Sequence, residues 1–111
     1  MADYLYVFRG GQPMGTPEQM QANMQKWRGW IESLAKSGNF KSGEPLDRDG
    51  KVVRGKSKVV TDGPYAEAKD VIGGYLLVTA GSLDAAVELS RGCPIFETDS
   101  GTVEVRPIAK M

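Results

Sequence analysis

Histidine is absent from this sequence. Without an imidazole there is no Ser-His or Cys-His nucleophile pair, no histidine general base and no histidine-ligated zinc. Any chemistry must rest on carboxylates, lysine, tyrosine or thiol. The single cysteine, Cys93, excludes an intrachain disulfide and a multi-cysteine metal site, and fits a reducing cytosol. No apolar run approaches the roughly 20 residues of a membrane span, and the first residues lack a basic, then apolar, leader pattern. The expected location is therefore cytoplasmic, with no membrane partner. Net charge is lacking too: 14 Lys and Arg offset 14 Asp and Glu, which leaves no long-range attraction for nucleic acid. Glycines recur at Gly10-Gly11, Gly15, Gly63 and Gly73-Gly74, yet neither Gly-x-Gly-x-x-Gly nor Gly-x-x-x-x-Gly-Lys-Ser/Thr occurs. No metal or cofactor is expected.

What is present is an ordinary globular composition. Hydrophobic residues make up 41% and charged residues 25% of 111 positions, enough to drive one core and too little chain for two. Residues 1–111 are read as a single domain without repeats. A domain this small leaves much of its surface exposed, so burial against a second copy would add stability.

The order of elements follows from local signals. Tyr4 to Arg9 reads as a strand, with Tyr4, Tyr6 and Phe8 on one face and Leu5 and Val7 on the other. Thr16-Pro17-Glu18-Gln19 is a helix start, and Met20, Met24, Trp27, Ile31 and Leu34 form an apolar stripe ending near Ser37 and Gly38. Asp49-Gly50 reads as a hairpin turn between Glu44-Pro45-Leu46 and Lys51-Val52-Val53, with a further strand from Lys56 to Thr61. Tyr65 to Ile72 is a connecting segment. Gly73 to Ala80 is a strand apolar on both faces, Ser82 caps a second helix carrying Leu83, Ala86 and Val87, and Thr102 to Ile108 is the last strand.

Removing the extra hairpin leaves β-α-β-β-α-β, an α+β ferredoxin-like arrangement with two helices on one face of an antiparallel sheet. One apolar sheet face is then uncovered, and the simplest cover is the sheet of a second copy. A face-to-face homodimer is expected.

Each candidate site residue has two readings. Asp62, before Gly63-Pro64-Tyr65, is either a turn residue binding nearby backbone or a carboxylate at a strand end facing a cleft. Glu67, Lys69 and Asp70 form either a solvated loop or an acid-base group beside a cation that orients an anion. Glu104 and Arg106 share one sheet face, where they pair with each other or Arg106 anchors a carboxylate or phosphate. Cys93 reads as a buried packing residue or, less simply, a nucleophile. Tyr6, Phe8, Met24 and Trp27 belong to the core or line a pocket.

Asp62-Gly63-Pro64-Tyr65-Ala66-Glu67-Ala68-Lys69, Gly73-Gly74-Tyr75, Cys93-Pro94 and Val103-Glu104-Val105-Arg106-Pro107-Ile108 together closely resemble the YCII-related family, in its DGPF-type branch, with Tyr65 where that branch carries Phe. The resemblance covers nearly the whole chain. It implies a dimeric α+β barrel in which two ferredoxin-like sheets face each other. Enzymatic proposals for the family rest on a His-Asp pair. Here histidine is missing and Cys93-Pro94 stands at the family's Asp-Pro step, so that mechanism does not carry over. The resemblance leaves three functional expectations: a small organic ligand in a barrel pocket, held by Tyr6, Phe8, Trp27, Asp62, Gly63, Tyr65, Lys69, Cys93 or Arg106; a lyase or isomerase acting on a small cyclic compound through Asp62 or Glu67; or an accessory of an extracytoplasmic-function sigma factor.

Overall fold

A computed structural model describes residues 1–10, 15–47, 49–63 and 71–110. Strand β1 (Ala2–Arg9) leads to helix α1 (Pro17–Lys36), strand β2 (Phe40–Pro45), the strands β3 (Gly50–Arg54) and β4 (Val59–Gly63), strand β5 (Ile72–Ala80), helix α2 (Leu83–Ser90), a 3-10 turn (Pro94–Glu97) and strand β6 (Thr102–Pro107). The main sheet has the order β2-β5-β1-β6, all neighbours antiparallel, while β3 and β4 pair only with each other. This is the ferredoxin-like order with an added hairpin.

The alternation of β1 sets the layers. Tyr4, Tyr6 and Phe8 are each 6% exposed or less and pack with Leu76, Val78 and Ala80 of β5. Leu5 and Val7 point to the other side, across from Leu77 and Tyr75. On β6, Val103 and Val105 join the helix-side core, while Glu104 and Arg106 lie across from Val7 and Leu5 on the open face.

Helix α1 begins as its sequence predicts. The Thr16 side chain accepts from the Gln19 N–H, and the Gln19 side chain accepts in return from the Thr16 N–H. Its buried stripe is set further along than the methionines suggest. Met20 and Met24 are 48% and 57% exposed, and Trp30, one turn beyond Trp27, is buried with Leu34. Trp30 stacks on Tyr6 at 6.2 Å, and its Nε1 donates to the Leu89 carbonyl at 3.2 Å, tying α1 to α2. In α2 the buried residues are Ala86 and Ser90, and Leu83, which opens the helix, is exposed.

The hairpin also differs from the expected one. Asp49-Gly50 is not its turn. Gly50 opens β3 and pairs with Gly63, and the chain reverses at Gly55–Lys58. Gly55 and Lys58 take positive φ angles of 73° and 57°, and the Lys58 N–H donates to the Gly55 carbonyl at 3.1 Å. The left-handed turn aligns Val53 with Val60, whereas a turn at Asp49-Gly50 would take Glu44 and Pro45 out of the main sheet, where they pair with Tyr75 and Gly74.

Candidate functional site

Between α1 and one end of the main sheet lies a cavity of about 610 Å³. Helix α1 supplies Asn23, Met24, Trp27, Arg28 and Ile31, which recur at helical spacing and so share one side. The sheet supplies Phe8 and Gly10 at the end of β1, Phe40, Gly43, Glu44 and Pro45 from β2, and Gly73 to Leu76 from β5. Ile95, in the 3-10 turn, closes one side.

The sheet end is drawn tight by Gly43. A Cβ there would fall 2.2 Å from Leu76 Cδ2 and 2.6 Å from the Tyr75 carbonyl oxygen. Absence of a side chain lets β2 close on β5 and leaves a floor of backbone beneath the aromatic wall. That wall is preorganised. Phe8 and Trp27 meet edge to face at 5.1 Å, and Trp30 packs edge-on against both, at 6.2 Å from Phe8 and 5.8 Å from Trp27. Such pairs contribute about 0.5–1.5 kcal/mol each beyond the area they bury.

The polar groups bordering the cavity are few. Asn23, Arg28 and Glu44 bring an amide, a guanidinium and a carboxylate. Arg28 is exposed and makes no ion pair among the described residues, unlike Arg9, Lys26, Lys41, Lys51, Arg91 and Arg106. A cation at the mouth of an apolar cleft with no carboxylate of its own is placed to meet an anionic group. Among the described residues, no cluster of side chains is suited to hold a metal ion.

Of the residues singled out from sequence, Phe8 and Trp27 line the cavity, as does Met24. Tyr6 lies deeper, fully buried, with its hydroxyl donating to the Ala86 carbonyl. Burial pushes that hydroxyl up to about 12, with the Cys93 thiol adding to the shift. Cys93 is 3% exposed, and burial pushes its thiol up to about 12 against a smaller lowering by the Ile95 backbone hydrogen bond. A thiol so held stays protonated and is a packing group. Asp62 lies on β4, with its side chain 90% exposed and paired with Lys51; neither it nor Gly63 borders the cavity. Arg106 lies on the open face, 3.8 Å from Glu104, which Arg9 also engages at 2.5 Å. Tyr65, Glu67 and Lys69 fall outside the described residues.

Sequence reasoning missed Asn23, Arg28, Phe40 and Glu44. Arg28 follows Trp27 on the edge of the apolar stripe, a position that reads as solvated until the facing sheet is known. Phe40 carried a usable signal, a lone aromatic beginning the strand after α1.

The fold and the cleft define an α+β protein with a ferredoxin-like sheet and an apolar ligand-sized cavity. The chain belongs to the YCII family: the model of the YCII-related domain matches residues 5–111. An uncharacterized protein of Rhizobium meliloti (strain 1021) is 39% identical over 51 residues, which are 46% of this chain and 41% of that one, so the match spans less than half of either. Among solved structures, the 5-chloro-2-hydroxyhydroquinone dehydrochlorinase TftG of Burkholderia phenoliruptrix AC1100, in complex with 2,5-dihydroxybenzoquinone, is similar with a TM-score of 0.51. That match covers 93% of this chain and 90% of the other at 17% identity, and shows the fold.

Proposed function

We propose that this protein binds a small cyclic organic anion in the cleft between α1 and the sheet. The observation that carries the reading is the cavity itself, whose about 610 Å³ lies in the range of small-molecule sites, with Phe8, Trp27 and Phe40 as an apolar wall and Arg28, without an ion pair among the described residues, at its border. The ring stacks among the aromatic side chains, and its carboxylate or phenolate meets the Arg28 guanidinium. The similarity in fold to a protein solved with a dihydroxybenzoquinone supports a ligand of that size and shape. The functional unit is a cytoplasmic homodimer of the DGPF-type branch. Its two open sheet faces pack together through Leu5, Val7, Tyr75 and Leu77, with Glu104, Arg9 and Arg106 at the margin.

We assign no reaction. The carboxylate bordering the cleft among the described residues is Glu44, and the expected proton-transfer residue Asp62 is exposed on the hairpin. Nothing in the described residues favours a sigma factor as partner.

Of the two tryptophans of the chain, Trp27 lines the cleft and the buried Trp30 packs edge-on against it, so their fluorescence reports on occupancy. Titration with hydroxybenzoates should give saturable quenching, and Arg28→Gln should weaken it roughly tenfold or more, the scale of one charge-assisted hydrogen bond. The neutral benzamides should bind both proteins alike. No saturable signal from any ring compound up to about 1 mM would end the ligand reading.

A further inference from the structure

Among the described residues, the β3–β4 hairpin takes no part in the core. Val53 and Val60 oppose each other on one side of the ribbon, while Val52 and Val59 lie on the other. Val53, Val59 and Val60 are 63%, 54% and 59% exposed, and neither strand joins the main sheet. A lone two-stranded ribbon is marginally stable in water, and β-branched residues stabilise strands through what packs against them.

The dimensions of the chain point the same way. Its accessible surface is 8018 Å², against about 6000 Å² for a compact monomer of this mass. Its radius of gyration is 15.5 Å, against about 13 Å for a compact chain of this length. The surplus of about 2000 Å² matches one subunit's share of a large permanent interface. The open sheet face does not supply that surplus alone, since Leu5, Val7, Tyr75 and Leu77 are already half-buried by their neighbours. The hairpin lies between β2 and β5 in the chain, and Pro45 at the end of β2 pairs with Gly74 near the start of β5, so the hairpin is rooted at one end of that strand pair.

We infer that the β3–β4 hairpin is an arm that packs its valines on a second copy of this chain, beside the sheet-to-sheet contact. The inference rests on the proposed homodimer and adds an element to it. Dimerisation then covers the ribbon that the monomer leaves bare, and the hairpin is ordered by its partner.

Val53→Lys combined with Val60→Glu tests this. The two positions face each other, so the exchange keeps an attractive cross-strand pair while removing apolar surface. Sedimentation equilibrium over a dilution series should show the parent chain as two copies and the variant dissociating at about 100-fold higher concentration. Hydrogen exchange in the parent gives the second measure: amides of Val52 and Thr61 should exchange at least about tenfold faster when dilution yields monomer. An unchanged dissociation constant together with concentration-independent exchange would overturn the arm and leave the sheet-to-sheet dimer standing. A parent chain that stays monomeric at micromolar concentration would overturn both.

Discussion

The two faces of the main sheet are apolar in strict alternation, yet they carry different kinds of side chain. On the helix side Tyr4, Tyr6 and Phe8 alternate with cross-strand Leu76 and Val78, and two tryptophans of α1 fill the space above them. On the other side Leu5, Val7 and Leu77 form a low aliphatic strip with Tyr75, edged by the Arg9–Glu104–Arg106 network and by Lys41 paired with Asp3 at 2.9 Å. Large rings suit a face covered by helices, where each buries a large apolar area and meets its neighbours edge to face. Short aliphatic side chains with a charged margin suit a face that meets another sheet, where a flat apolar strip interdigitates and the rim stays wet.

The largest way to break that comparison is to remove a ring from the helix side. Trp30→Ala should lower stability by about 3–5 kcal/mol, read as a shift of the urea midpoint, because the ring is buried, stacks on Tyr6 and holds Leu89 by its Nε1. A loss below about 1 kcal/mol would mean that the aromatic cluster is not the core. On the opposite face, Leu77→Lys should weaken the proposed dimer about 100-fold in sedimentation while the diluted monomer keeps its fold. A variant dimer as tight as the parent would move the interface elsewhere.

These contrasts explain what was legible in the sequence. Element order, the capping box at Thr16 and the two-sided apolar strands were readable because each is a local pattern with one structural solution. The hairpin turn was not, because Asp-Gly is a strong local turn signal, while the observed register is decided by a non-local pairing, β2 with β5. The cleft was half legible. Phe8, Met24 and Trp27 could be grouped by periodicity, but Arg28 and Glu44 come together only across the sheet end, and Arg106, weighed as an anion anchor against the simpler pairing with Glu104, faces away with Glu104 as its partner.

A smaller effect tests the cleft's floor. Gly43→Val should cost about 1–3 kcal/mol, since its side chain would meet Leu76 and the β5 backbone, and should also diminish ring binding by parting β2 from β5. Full retention of both stability and fluorescence quenching would show that the close approach is dispensable.

The smallest effect separates the two faces by pH. Tyr6 and Cys93 sit on the helix side, with their acid groups raised by burial from 10.0 and 9.0 to about 12. Between about pH 9 and 12 the folded chain keeps protons that the unfolded chain releases. The stability these groups contribute is therefore complete below pH 9 and is lost as pH rises through that window. At pH 10 the thiol's part is on the order of 1 kcal/mol or less, one unit above its unfolded value. Urea unfolding at pH 8, 9 and 10 should show this decline in the parent chain and in Leu77→Lys alike, whereas Cys93→Ala, though less stable throughout, should decline less between pH 9 and 10. An equal slope in Cys93→Ala would remove the buried thiol from the account.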